Sequence, residues 1–186
     1  VWTDRPALVH QPADVLKDEF NGEATASKLA RVREQMEKEE AQYHIISTLD
    51  DIAWILNVRG NDIPHVPVVL SFLVIGKENA MWFVEENALS DAVKEMAAEC
   101  GITIRPYEDV YAYAATIPEH SSVLLDKRKV NYRITNALSE TVHIVSKANP
   151  SQLMKAIKNE IELENTRKAH LLDGIAVTKF MYWLKK

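Results

Sequence analysis

The sequence predicts an α/β fold: a mixed sheet of about six strands flanked by helices, with a helical extension at its C-terminal end. Three observations carry that expectation. Between residues 43 and 145, short β-rich runs alternate with stretches of helical periodicity, which is the order that builds βαβ units. Residues 68–75 are almost wholly apolar, as a strand covered on both faces must be. After Asn149-Pro150 the chain is helix-forming almost to its last residue.

Taken in order, residues 1–21 contain Pro6 and Pro12 and show no clear periodicity, so they read as an interdomain linker. Over residues 27–41, Leu29, Val32 and Met36 recur at helical spacing among charged residues, which predicts an amphipathic helix covering a sheet. Residues 43–47 form a β-rich run. Thr48 is then placed to cap a helix over 52–56, with Asp50 and Asp51 in its positive first turn. Gly60, Pro64 and Pro67 make residues 57–67 a loop, because neither helix nor strand survives that density of breakers.

The apolar run 68–75, the turn Gly76-Lys77-Glu78-Asn79 and the run 80–84 predict an antiparallel hairpin. Helices follow at 88–100, 107–116 and 131–139, and strands at 102–105, 122–125 and 141–145. In the helical tail, Met154, Ile157 and Ile161 give one apolar stripe, and Leu172, Ala176, Phe180 and Trp183 give another. Gly174 costs a helix about 1 kcal/mol and marks a break or a close packing contact.

The chain has 186 residues, 47% of them hydrophobic, and a net charge of -5. One cored domain with an appendage fits that length. No positive field is available for phosphates or anionic lipid, so nucleic acid is not an expected partner. The basic run Lys127-Arg128-Lys129 reads as a solvated loop. No run approaches the roughly 20 apolar residues that span a bilayer, so no membrane partner is expected. One cysteine, Cys100, at the end of a helix, excludes an internal disulfide and points to a reducing, cytoplasmic setting.

Catalytic constellations are absent: there is no HExxH, phosphate loop, GxSxG or Cys/His metal pattern. No residue of this chain is therefore assigned to catalysis or to a metal. Asp50 and Asp51 could share a proton or clamp a cation. Neighbours in a first turn point different ways, however, and helix capping is favoured. Glu160, Glu162 and Glu164 read as a solvated face, and His170 as an ordinary helix histidine. The most suggestive segment is the polar loop with Arg59, Asp62 and His65, which rigid elements would present. Arg59 could fork onto a substrate carboxylate or onto Asp62, and a contact with Asp62 that only fixes the loop is favoured.

Three pieces of sequence resemble the large, three-domain Xaa-Pro aminopeptidases of the creatinase and prolidase superfamily. Val1-Trp2-Thr3-Asp4-Arg5-Pro6 is similar to the W-x-D-R-P linker between that family's first and second domains. Leu49-Asp50-Asp51-Ile52-Ala53-Trp54-Ile55-Leu56-Asn57-Val58-Arg59-Gly60-Asn61-Asp62 resembles L-D-[DE]-I-A-W-L-x-N-x-R-G-x-D. Arg167-Lys168-Ala169-His170 with Asp173-Gly174-Ile175-Ala176 resembles the R-x-A-H-x-x-D-G-x-A opening of the catalytic domain.

The resemblance implies a linker over residues 1–21, a creatinase N-terminal-like α/β domain over 22–149, and the helical start of a pita-bread catalytic domain over 150–186. It implies a parent enzyme that releases the N-terminal residue from peptides with proline second. That enzyme would be a cytoplasmic homodimer using two divalent metals, commonly manganese, held by Asp, His and Glu beyond Lys186. This chain alone would be inactive, hold no cofactor and partner the rest of its own polypeptide, with Arg59, Asp62 and His65 as candidates for facing the substrate cleft. Val66 stands where the family often has Asn before Pro67. The competing expectation is a stand-alone binding or regulatory module that docks a partner through its C-terminal helix; a nuclease lacks the carboxylates and positive charge it would need.

Overall fold

Ladder hydrogen bonds in the computed structural model, which describes residue 4 and residues 6–186, join six strands into one mixed sheet. Of the tryptophan-containing opening motif, Val1, Trp2, Thr3 and Arg5 lie outside the described residues. In chain order come β1 (Asp14–Val15), α1 (Asp18–Asn21), α2 (Thr25–Lys38), β2 (Tyr43–Ile46), α3 (Leu49–Leu56), β3 (Val58–Arg59), β4 (Ser71–Gly76) and β5 (Ala80–Val84). A 3-10 turn (Glu86–Ala88) leads to α4 (Asp91–Glu99), β6 (Ile102–Arg105), α5 (Asp109–Ala115), β7 (Ser122–Leu125), α6 (Tyr132–Ala137), β8 (His143–Ser146), α7 (Pro150–Ala156) and α8 (Glu160–Leu184).

The sheet runs β6-β5-β4-β2-β7-β8. Only β4 is antiparallel to its neighbours, pairing β2 on one side and β5 on the other through the expected hairpin, while β5–β6, β2–β7 and β7–β8 are parallel. Strand alternation sorts the side chains onto two faces. Leu73, Ile75, Ile46, Trp82 and Leu124 point toward α2, α3 and α4; Phe72, Val74, Ile45, Phe83 and Val123 point toward α5 and α6. Residues 71–76 are all buried, because β4 has a helical layer on each side.

Residues 13–21, within the segment expected as linker, carry β1, which pairs antiparallel with β3, and α1; Ala13 is buried and exchanges backbone bonds with the segment before α4, Ala13 N–H to Ala88 O at 2.8 Å and Ser90 N–H to Ala13 O at 3.1 Å. Other expectations are corrected. The helix expected from residue 88 starts at Asp91, where the Ser90 hydroxyl accepts from the Val93 N–H. The helical tail is interrupted between Ala156 and Glu160, where Asn159 and Glu162 close a reciprocal capping box and start a new helix. Gly174 marks neither break nor contact: it lies inside α8, and nothing stands within 4 Å of where a Cβ would be.

Asp51 does more than sit at a helix start. It is buried, accepts from Thr48 Oγ1 at 2.5 Å and from Asn149 Nδ2 at 3.1 Å, and pairs with Lys155 Nζ at 2.8 Å. Asp50, more exposed, shares the same ammonium. Burial works against the Lys155 charge, but the bonds to Asp50 and Asp51 outweigh it and raise its pKa. Thr48 keeps the N-cap position, yet its hydroxyl serves this carboxylate and not a backbone amide. The cluster clamps α7 onto α3.

Replacing Asp51 with Ala takes the acceptor from Thr48 Oγ1 and leaves the half-buried Lys155 ammonium paired only with the exposed Asp50, which costs about 3 kcal/mol. Asp50→Ala, at an exposed carboxylate, costs under about 1 kcal/mol. Urea midpoints of the two variants measure the contrast.

Candidate functional site

The C-terminal end of α3 leaves carbonyls short of helical partners, and three side chains converge there, although Ala53 O also accepts the Asn57 N–H. Thr25 Oγ1 donates to Leu56 O at 3.0 Å, Lys28 Nζ to Trp54 O at 3.0 Å, and Arg59 Nη1 to Ala53 O at 2.6 Å and to Val58 O at 3.0 Å. Two of the three are cations, which the negative end of a helix favours. Asn57 ends the helix in the left-handed region at φ 53°. Its amide accepts from Lys28 Nζ at 2.6 Å and donates to Glu23 O at 2.8 Å.

Lys28 is 1% exposed, and its ammonium lies 4.4 Å from the centre of the Trp54 ring. Burial pushes its pKa down to about 8, although Glu162 and Glu23 pull the other way. The Arg59 guanidinium is lowered by burial too, with Glu162 again opposing. Trp54 Nε1 donates to Glu162 Oε1 at 3.2 Å. A half-open cavity of about 420 Å³ lies over this cluster, lined among others by Lys28, Trp54, Arg59, Lys158, Glu162 and Asn165.

Beyond Arg59 the loop is built tightly. Gly60 lies so close to the next segment that a Cβ there would stand 2.7 Å from the Val69 side chain and 3.2 Å from Val68 O. Asp62, its carboxylate 0% exposed, accepts from the Gln11 N–H and the Leu70 N–H, each at 2.7 Å, with His10 Nδ1 at 3.7 Å. It ties the N-terminal segment to the start of β4. His65 is exposed at the tip with φ 66° and makes no hydrogen bond or ion pair among the described residues.

The three sequence candidates are thus held in different ways. Arg59 faces the α3 end and the cavity, Asp62 is consumed by backbone amides, and His65 is free. The favoured Arg59–Asp62 contact does not form: the guanidinium is bonded to the Ala53 and Val58 carbonyls, and each carboxylate oxygen of Asp62 accepts a backbone amide. Lys28 and Glu162 were missed. Lys28 stands in register with Val32 and Met36 on the apolar stripe of α2, which is the signal for a buried lysine. Glu162, expected as part of a solvated face, is half-buried and bonded at both oxygens. Glu160 and Glu164 are exposed. Among the described residues no group of three or more His, Cys, Asp or Glu could hold a metal ion, and no helix is long and apolar enough to cross a membrane.

Between about pH 8 and 10.5 the unfolded chain keeps a proton on Lys28 that the folded chain sheds, so this group makes stability rise with pH across that window. Relative to Lys28→Met, the wild type should gain about 3 kcal/mol from pH 8 to 10.5. Denaturant titrations across that range should diverge; parallel curves would place the ammonium in water.

Comparison with known proteins supplies the remaining findings. A family model for the creatinase/prolidase N-terminal domain matches residues 4–162. A probable Xaa-Pro aminopeptidase P of Neurospora crassa is 35% identical over 100% of this chain, which covers 28% of that protein. The Xaa-Pro aminopeptidase 1 of Dictyostelium discoideum is 36% identical over 92% of the chain and 27% of its own length. The crystal structure of X-prolyl aminopeptidase from Caenorhabditis elegans, a cytosolic enzyme with a di-nuclear active site, superposes with TM-score 0.89 at 30% identity, over 100% of this chain and 31% of that one. The Pyrococcus horikoshii prolidase, 20% identical with TM-score 0.55 over 81% of this chain and 41% of its own, shares the fold. The chain spans under a third of the length of the curated relatives it matches.

Proposed function

Since the chain belongs to the creatinase/prolidase N-terminal domain family, we propose that it is the non-catalytic second domain of a metal-dependent Xaa-Pro aminopeptidase, carried with the opening helices of the catalytic domain. One observation carries this reading beyond the family match. Residues 166–186 are all exposed, and Leu171, Leu172, Ile175, Val177, Phe180, Met181, Trp183 and Leu184 surround α8 on every side. A helix apolar all round belongs in a core. The reading therefore has the remainder of the polypeptide, a catalytic domain, close over α8.

Within it, the segments before residue 22 and after residue 149 belong to the domain junctions, even though β1 pairs with β3 and α7 packs on α3 and α2. Two divalent metals, manganese in the reading we favour, would be bound outside the described residues, which offer no such cluster. The di-nuclear active site of the C. elegans relative supports the number of metals. Its cytosolic setting supports a cytoplasmic enzyme here, and the resemblance supports a homodimer. The substrates would be peptides with proline second. Arg59 is the best placed of the three cleft candidates, since it lines an open cavity; His65 is accessible, and Asp62 serves by holding the loop. The comparisons lend no support to a stand-alone docking module.

The 186-residue chain should release no amino acid from a Gly-Pro-type peptide with manganese present. The longer polypeptide that contains it should do so and lose that activity to a chelator. In the longer form, Arg59→Ala should raise KM or lower kcat about tenfold. Hydrolysis by the 186-residue chain alone would refute the assignment, and unchanged kinetics for Arg59→Ala would return that residue to a purely structural role.

A further inference from the structure

The first turns of α8 are fastened to the α/β domain by a set of bonds that leaves the rest of the helix untouched. Asn159 Oδ1 accepts from Glu162 N at 2.9 Å, and Glu162 Oε2 accepts from Asn159 N at 3.0 Å. Asn159 Nδ2 also donates to Asn21 O at 2.8 Å, and Asn165 Nδ2 to Glu19 O at 2.9 Å, so both anchor to α1. Gly22, at φ +65°, provides the seat: a Cβ there would stand 2.8 Å from Asn159 Oδ1 and 2.9 Å from Ile161 Cβ. The remaining oxygen of Glu162 reaches across to Trp54 Nε1 on α3.

Trp54 is therefore held between α8 and the cations of the α3 end. Its ring carries Lys28 at 4.4 Å, its indole N–H meets Glu162, and its carbonyl accepts from Lys28. Arg59 leaves the same helix end and lines the same cavity as Glu162. We infer that Glu162 is a positioning residue: through Trp54 it registers the first helix of the catalytic domain against the loop that carries Arg59. This rests on the aminopeptidase reading only in calling α8 the start of a catalytic domain; the seat itself stands on the bonds just described.

The lever is long. From Thr166 to Leu184 the helix extends about 27 Å, so a tilt of about 10° at the seat moves its far end by about 5 Å. A displacement of that size where α8 and the Arg59 loop border the substrate cleft would weaken substrate binding. Gln keeps the reach and one of the two acceptor oxygens at position 162, enough for Trp54 Nε1 if the Asn159 N–H is given up, whereas Ala removes the link to Trp54 and half of the capping box.

In the longer polypeptide, Glu162→Ala should raise KM for a Gly-Pro-type peptide about tenfold with kcat changed less than threefold and Tm within about 2 °C. Glu162→Gln should restore KM to within twofold of the unsubstituted enzyme. Kinetics of Glu162→Ala equal to those of the unsubstituted enzyme would overturn the inference, and so would a KM defect that Gln does not repair. In the 186-residue chain, Trp54→Phe and Glu162→Ala should shift the urea midpoint non-additively, and additive shifts would dissolve the seat. If the unsubstituted longer polypeptide hydrolyses no Xaa-Pro peptide while the midpoints remain non-additive, the aminopeptidase reading fails and the seat stands.

Discussion

A helix that ends inside a protein must find partners for its last carbonyls, and in this chain that demand falls on α3. Its C-terminal end lies under α2 and beside α8, away from most water, so the carbonyls of Trp54 and Leu56 are satisfied by Lys28 and Thr25, and Arg59 adds a second donor to Ala53 O beside the Asn57 N–H. Burying an ammonium is costly, and Lys28 shows it in a pKa near 8. What offsets the cost is local: two oxygen acceptors, an aromatic face and the negative end of the helix. Once those groups are in place, the direction of the chain through Asn57 and Arg59 is set, and so is the orientation of the Trp54 indole that meets α8.

The N-terminal end of the same helix is treated with the opposite sign. Asp51 is buried there with Lys155, Asn149 and Thr48 around it, and it draws α7 onto α3. A short helix of eight residues thereby holds both segments that lead toward the C-terminal end of the chain: α7 at its positive end and α8 at its negative end. Neither cluster is arranged for chemistry. Each carboxylate and each cation is occupied by backbone or by a partner.

Much of this fold was legible. The strands Ala80–Val84, Ile102–Arg105 and Ser122–Leu125 fall where their β-rich runs and flanking turns place them, and the unbroken apolar stretch around Phe72 and Val74 announced a strand covered on both faces. The candidate site was less legible because its logic is not local. A lysine in an amphipathic helix looks solvated until the carbonyls of a helix 26 residues away are placed over it. Glu162 reads as one acid among three until Trp54, 108 residues earlier, is seen to need an acceptor. Arg59 and Asp62 are close in sequence and opposite in charge, which favours a contact on paper, but backbone groups outcompete each for the other.

If the α3 end is the common anchor of the Arg59 loop and of α8, loosening it should loosen both. Hydrogen exchange on the 186-residue chain with Lys28→Met measures this directly. The amides of residues 57–63 and of residues 161–166 should lose protection together and by similar factors, of about tenfold, relative to the unsubstituted chain. Loss confined to the loop, with the first turns of α8 as protected as before, would show that the two are held independently and would contradict the account.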